Sequence, residues 1–581
     1  MQHDLSSTTT PAHSAMRSVD GRVARVLGAR GYGRVLGALG CGLLGGLLFV
    51  PAIAAGRLAD DFVLLRTVRQ VKGVFWPFTH NDLGQPAGAG AFYRPVWVLW
   101  NTAVYDLSHS PAFAHVLNLA LFAMICSEVF LLVWRVAGSR AALIAGALFA
   151  VFPSHGESVA WISGNTDLLA AALGLAAILL ALSARPSIWR ESGVASLTAL
   201  AMLTKEIAVI LPLLLAILLW APPAGAAPRP RGHWRPVIVM LVTVALVLIP
   251  RTLVVGGVGG YGAQPLTPKR AAGALVSFIA GGLSAPQLQL LTHPILILVP
   301  VSLLTLLAWS TYRAWRAGDR ITARLAVAGS AWFLAALLPV LNQPLNLNTR
   351  NGDRLLLLPS VGLALAAGSL IGRTRRFGVA ATGTAVVALC AVSCVLNAID
   401  WRTAGTESRR LLADIDRLAP PGAHLVALSV PTDYRAAHLY PDALDIAVQE
   451  TGRPDVTLTA CIPVHALNLR PGQVSFRRLP GGLWLGRATS QAPFDVPVLD
   501  SAVPDAGSAC QFATARSQPH TTLGTALTAL VKPSSAGGHL PSARQFRRGA
   551  PLSGAATTVG IAPYSLVTFV ALGPFSPASA S

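Results

Sequence analysis

Two carboxylates stand side by side at Asp60 and Asp61, immediately after the first long apolar stretch of the chain, in Ala54-Ala-Gly-Arg-Leu-Ala-Asp-Asp-Phe62. Charge at a lipid boundary is costly, and ionisable groups kept there usually mark function. A carboxylate so placed can take the proton from a hydroxyl that attacks an electrophilic carbon. That reaction also needs fixed cations to meet the charge growing on a departing group. Candidates are Lys205 in Leu203-Thr-Lys-Glu206, Arg94 in Tyr93-Arg-Pro95, and Arg350 and Arg354 in the stretch from Asn346 to Arg354. His155 and Glu157 follow a proline in Phe152-Pro-Ser-His-Gly-Glu-Ser158, and Asp167 lies behind Gly164-Asn165.

Each of these residues also has a structural reading. One of Asp60 and Asp61 can cap a helix or pair with Arg57 or Arg66, which leaves the other as base; Asp61 is the preferred base. Arg354 opens the helix that begins at Leu355, where it either holds a phosphate or anchors the interface, with Arg350 as a second ligand. Lys205 is one of four lysines in the chain. Flanked by apolar helix, it either holds a phosphate or bridges to Glu206 or another acid. His155 and Glu157 form either an interfacial cluster or a contact to sugar or phosphate. Tyr93 and Arg94 read as a loop-to-helix junction held by Pro95, and Asp167 as a helix cap. The acidic pair could take a divalent cation, but two acids without further ligands make a poor site, so no metal or other cofactor is assigned.

The elements that must position these groups are membrane helices. Of 581 residues 53% are hydrophobic and 12% charged, and the mean hydropathy is +0.57. Apolar runs of spanning length recur from Val35 to about Leu396, which no soluble domain tolerates. A formal charge of +20 would suggest nucleic acid in a soluble chain. Here the arginines fall mostly in short loops between apolar runs, where they set orientation, and nucleic acid is not an expected partner.

Spans are expected near 35–55, 94–108, 112–134, 139–153, 165–184, 194–204, 206–220, 236–254, 294–310, 325–341, 355–372 and 378–397. The second is short and partly embedded, which leaves roughly eleven crossings. Loops holding Arg135 with Arg140, Arg185 with Arg190, Arg229 to Arg235, Arg313 to Arg324 and Arg373 to Arg376 then lie in the cytoplasm, and alternate loops face out. The basic tail 1–34, with Arg17, Arg22, Arg25, Arg30 and Arg34, reads as cytoplasmic and the helix after it as a retained anchor. Every candidate above falls on the outer side, where a polar chamber with apolar walls suits a lipid-phosphate donor.

The multi-spanning unit covers 35–398, and 399–581 reads as a soluble α/β or β-rich domain outside the membrane, with alternating segments such as His424-Leu-Val-Ala-Leu-Ser429. Cys461 and Cys510 both fall in it, where an oxidising compartment permits a disulfide or two free thiols. Gly256-Gly-Val-Gly-Gly260 lacks the Lys-Ser/Thr of a phosphate-binding loop and reads as a hinge.

The motifs have a family likeness. The acidic pair, Tyr93-Arg-Pro95, His115-Val-Leu-Asn118, Phe152-Pro-Ser-His-Gly-Glu-Ser-Val159 with Gly164-Asn-Thr-Asp-Leu-Leu169, Leu203-Thr-Lys-Glu206, and Asp353-Arg-Leu-Leu-Leu-Leu-Pro-Ser360 together resemble the GT-C glycosyltransferases. Within them the likeness is to the membrane half of the tetratricopeptide-containing O-mannosyltransferases and their bacterial relatives. The resemblance implies a polyprenyl-phosphate sugar donor, inverting transfer on the outer face of the membrane, a first-loop aspartate as base, and a glycan, lipid or protein acceptor. Two departures stand out: the tetratricopeptide repeats are absent, and Asp353-Arg354-Leu355 replaces a Glu-Arg-Tyr. The competing readings are a lipid or solute transporter or flippase, and a non-catalytic cell-envelope binding protein with a degenerate transferase core. A transporter would show internal repeats and midplane charge; neither is visible. The setting implied is a bacterial cytoplasmic membrane.

Overall fold

The computed structural model describes residues 32–85, 92–183, 186–221, 234–257, 266–287, 293–347, 349–373, 377–418, 421–422, 424–440 and 443–466, and the strand segments 473–478, 484–489, 556–559 and 569–572. The region from Tyr32 to Leu418 is helical. In chain order the helices are α1 (Tyr32–Leu48), α2 (Asp61–Gln70), α3 (Pro95–Leu107), α4 (Pro111–Ala137), α5 (Ser139–Ala150), α6 (Gly156–Ala160), α7 (Asn165–Ala181) and α8 (Ile188–Thr204). They continue with α9 (Leu211–Trp220), α10 (Arg235–Val255), α11 (Pro268–Gly282), α12 (His293–Arg316), α13 (Arg320–Leu337), α14 (Leu357–Gly372) and α15 (Phe377–Leu418).

Five stretches among the described residues are long and apolar enough to cross a bilayer: 111–137, 235–255, 320–340, 353–372 and 381–417. The α5–α6 pair, bent by 51° at Pro153, makes a sixth if it is one span, and α1, α7 and the 206–220 run are shorter apolar helices. The chain is an integral membrane protein. Its lipid-facing surface is legible on α10, where Ile238, Leu241, Val242, Leu246, Ile249 and Leu253 are all exposed. A stripe of that size would be a liability in water.

Helix α4 forms the centre. Phe122, Ile125, Cys126, Val129, Phe130 and Val133 form a buried stripe along its length, while Val116 and Met124 on the opposite side are exposed. Small residues let other helices close tightly. A Cβ on Gly329 of α13 would lie 2.4 Å from the Gly362 carbonyl of α14, and one on Gly362 would lie 2.4 Å from the Gly329 carbonyl. Backbone contact of this kind is how membrane helices gain packing without a hydrophobic drive. Trp332 Nε1 fixes the register of the pair by donating to the Leu358 carbonyl at 2.9 Å.

Three features differ from the sequence expectation. The acidic pair does not lie in open loop: Asp61 begins α2, an amphipathic helix that the spacing of charges around Arg66 and Arg69 hid. Helix α11 occupies a stretch read as loop, because its 15 residues are too few and too polar at Pro268-Lys-Arg270 to register as a span. Helix α15 runs without a break through the expected boundary at 398, as far as Leu418. Its last turns exchange apolar for charged residues, so the hydropathy ends long before the helix does.

After α15 come strands β1 (His424–Tyr434) and β2 (Ala437–His438), helix α16 (Leu444–Glu450), and strands β3 (Thr457–Ala466), β4 (Gln473–Arg478), β5 (Trp484–Thr489), β6 (Ala556–Val559) and β7 (Phe569–Leu572). The sheet order is β2-β1-β7-β5-β4-β6, with β3 parallel to β1 through the α16 crossover. Cys510 lies outside the described residues, as do 258–260 of the glycine run, and the Cys461 side chain is likewise not described.

Helix α15 meets the entry to the acidic pair at Gly405, whose Cβ position lies 1.6 Å from the Ala55 carbonyl oxygen. The neighbour there is backbone and cannot swing aside. Gly405→Ala is therefore expected to lower the thermal stability of detergent-solubilised protein by about 1–3 kcal/mol, as overpacking does. An unchanged melting curve would contradict this packing.

Candidate functional site

The turn that carries the acidic pair is strained and held from several sides. Gly56 (φ 79°) and the non-glycine Ala59 (φ 48°) both adopt left-handed backbone. Strain of this kind survives only where the surroundings impose it. His115 Nε2 of α4 donates to the Gly56 carbonyl at 2.9 Å, Arg409 of α15 donates to the Ala55 carbonyl at 2.7 Å, and the Ala59 amide donates to the Leu439 carbonyl at 2.9 Å.

The two acids then part company. Asp61 is 3% exposed and accepts three hydrogen bonds: from the Leu58 amide at 2.9 Å, the Ser163 amide at 2.8 Å and the Ser163 hydroxyl at 2.7 Å. Burial pushes its carboxyl up to about 7 against the opposing pull of those donors. Asp60 is exposed, and no side-chain hydrogen bond to it occurs among the described residues. Neither Arg57 nor Arg66 bonds to the acids; Arg57 donates to the His109 carbonyl and Arg66 to Glu450 and Gln449.

Trp161 links this turn to the cationic side. Its Nε1 donates to the Leu58 carbonyl at 3.1 Å, its own carbonyl accepts from Asn118 of α4 at 2.9 Å, and its ring lies 5.3 Å from the Arg354 guanidinium. Both residues of the His115-Val-Leu-Asn118 motif thus hold the site rather than enter it.

Glu157 is the hub opposite. Its Oε2 accepts the amides of Gly352 at 3.0 Å and Arg354 at 2.9 Å, and its Oε1 accepts from the Arg354 guanidinium and from His438 Nε2, the latter at 3.0 Å. His438 Nδ1 lies 2.7 Å from Asp433 Oδ1, its cross-strand partner in the β1–β2 pair. Burial opposes the charged ring, yet the bonds to Asp433 and Glu157 lift its pKa to about 10. Arg354 keeps 17% of its side chain exposed.

A second cluster lies around Arg94, the residue before α3. It grips Glu206 with Nε at 3.2 Å and Nη2 at 2.8 Å and reaches Asp82 at 3.4 Å. Burial raises the Asp82 carboxyl to about 6 despite Arg94. Tyr93 is buried against Val254 and Val255 and donates to the Phe78 carbonyl at 3.3 Å. Arg251 of α10, one turn before Val254, is also buried and feels the charges of Glu206, Asp82 and Arg94.

The remaining candidates are structural in their contacts. Lys205 donates to Asp167 at 2.6 Å, with both side chains 1% exposed; Asp167 makes no capping bond. Arg350 is buried and spends its guanidinium on Asp353, Ser154, Ser284 and the Gly281 carbonyl. His155 sits in the core among Phe122, Phe149 and Phe152, with Nε2 3.0 Å from the Ser360 hydroxyl. Among the described residues no three His, Cys, Asp or Glu side chains gather as a metal site.

Sequence reasoning missed Asp82, Ser163, Trp161, Arg251, Asp433 and His438. Asp82 follows the acidic pair in the connection between α1 and α3, so its sign and place were available. His438 had no such signal, because its contact with Glu157 spans 281 residues.

No family model matches the chain. Over 151 residues, 25% of the chain, it is 32% identical to "Protein O-mannosyl-transferase Tmtc1" of Drosophila melanogaster, and over 89 residues, 15% of the chain, it is 40% identical to "Protein O-mannosyl-transferase TMTC3" of Mus musculus. The matches cover 18% and 10% of those proteins, so the chain spans less than a fifth of the curated relatives it resembles. Among solved structures, ArnT from Cupriavidus metallidurans in the apo state aligns over 71% of this chain and 83% of its own, with a TM-score of 0.32 and 16% identity. The likeness to O-mannosyltransferases carried by the motifs is met by curated relatives of that description.

Two outcomes check these contacts. Lys205→Met strands the buried Asp167 and is expected to cost about 3–5 kcal/mol, with Lys205→Met/Asp167→Leu recovering most of it in thermal unfolding. The folded pKa of His438 lies above that of a free imidazole, so its pairing stabilises fully below pH 6.5 and is lost as pH rises towards 10. The stability gap between wild type and His438→Gln in detergent should accordingly close over that range.

Proposed function

We propose that the protein is a GT-C-type glycosyltransferase that moves a sugar from a polyprenyl-phosphate donor to an acceptor hydroxyl on the outer face of a bacterial cytoplasmic membrane. The observation that carries this reading is the arrangement around Trp161: one indole bonds the turn holding the exposed Asp60 and lies against Arg354, whose side chain is 17% exposed. Transfer from a lipid phosphate needs that pair of groups, a base for the incoming hydroxyl and a cation for the outgoing phosphate. The sequence likeness to O-mannosyltransferases supports the same class of chemistry.

The reaction runs as a direct displacement. The acceptor oxygen attacks the anomeric carbon, the bond from that carbon to the phosphate oxygen breaks with its electron pair on the phosphate, and the hydroxyl proton passes to a carboxylate. Exposure divides the work between the two acids. Asp60 is open and takes the proton, whereas Asp61, enclosed by Leu58 and Ser163, fixes the turn that presents it. Arg354, whose side chain is 17% exposed, meets the phosphate. Arg94, Arg251 and Lys205 contribute positive potential from deeper positions, partly cancelled by Glu206, Asp82 and Asp167. The region beyond α15 lies outside the membrane with its sheet.

Asp60→Asn is expected to lower transfer from a polyprenyl-phosphate sugar by about 10²–10⁴-fold, the range for removal of a general base, with melting unchanged. Asp61→Asn should lower both activity and melting temperature. Turnover of wild-type speed in Asp60→Asn would remove Asp60 from the mechanism, and mass spectrometry of lipid-linked sugars in a deletion strain would identify the donor that accumulates.

A further inference from the structure

Residues 432–440 and 443–450 follow the last membrane helix and belong by sequence to the outer region, yet several of their side chains bond to the helical unit. Tyr440 packs its hydroxyl against Ser408 of α15 at 2.5 Å, and Arg435 donates to Asp400 at 2.8 Å. Helix α16 reaches α2 directly: Glu450 takes Arg66 at 3.2 Å and Arg69 at 2.5 Å, and Gln449 accepts from Arg66 at 2.7 Å. Leu439 holds the strained Ala59, one residue before the acidic pair. The register of β1 against β3 slips between Pro431 and Asp433, the kind of irregularity that re-aims a side chain, and Asp433 there faces His438.

His438 is buried within this contact. Both ring nitrogens meet carboxylates, so both donate, and its edges lie against the rings of Trp161 at 5.1 Å and Trp401 at 5.6 Å. The ring has one orientation. Through Nε2 it fixes Oε1 of Glu157, the same oxygen that takes the Arg354 guanidinium.

We propose that residues 432–440 and 443–450 are part of the transfer site, and that His438 is a positioning residue that sets Glu157 and, through it, the Arg354 guanidinium. The proposal rests on the glycosyltransferase reading for the identity of the anion but not for the contacts. The outer region is then no detachable acceptor-binding module: the strand pair and α16 hold the cation from one side and the acid-bearing helix α2 from the other.

The test uses the full chain in detergent micelles with undecaprenyl phosphate as probe, its binding read by native mass spectrometry. Wild type should bind, His438→Ala should bind about tenfold more weakly or worse, and His438→Gln, which keeps a donor towards Glu157, should recover most of the loss. In transfer assays the same variants should raise the donor KM and leave the acceptor KM unchanged, a split that general loosening of the fold would not give. Equal binding by wild type and His438→Ala overturns the positioning role while leaving the function intact. No binding by wild type removes the lipid-phosphate reading itself. Should His438→Ala fail to remain monodisperse, Asp433→Asn decides, since it removes the charge that orients the ring and almost no volume: weakened binding supports the role, and unchanged binding overturns it.

Discussion

A carboxylate deep among membrane helices is tolerable only when its oxygens are fully engaged, and Glu157 is the place where this protein meets that demand. Its four donors come from two backbone amides before α14, from a guanidinium, and from an imidazole on the far side of the chain. Taking any one away leaves a buried charge short of a partner. The loop at Gly352, the start of α14, the bend between α5 and α6, and the β1–β2 strand pair are therefore obliged to meet at one point. Arg354 owes its position to that meeting.

The acidic pair obeys the same rule with a different result. Of two neighbouring aspartates, one is drawn inside, where Ser163 and Leu58 supply three donors, and the other is left in the open by the turn this creates. Ala59 pays for the geometry with a left-handed backbone and is kept there by Leu439. The buried acid ties the turn to Leu58 and Ser163, and in the proposed reaction the exposed acid takes the proton. Equivalent residues thus acquire distinct roles from accessibility alone.

Charge balance explains why so many of the polar residues on this face bind each other. Lys205 with Asp167, Arg94 with Glu206 and Asp82, and Arg350 with Asp353 are all enclosed pairs, each cation offsetting a neighbour that burial would otherwise neutralise. Such pairs add little net stability over apolar packing, but they fix which helix meets which, while Arg354 stays partly exposed.

The sequence by itself determined the membrane class, the run of helices from α4 to α14 apart from α11, and part of the set of charged residues around the site, because hydropathy and the rarity of charge are local properties. It also carried the family likeness, since motif order survives in one dimension. It did not determine that Asp61 starts a helix, that Lys205 and His155 turn inward, or that α15 continues past the end of its apolar run. Those outcomes depend on what lies opposite, and hydropathy is silent about neighbours. The different burial of the two acids and the entry of His438 were decided only by tertiary structure, for a physical reason: burial and hydrogen-bond satisfaction are properties of contacts between residues far apart in the chain, and no spacing along it encodes them.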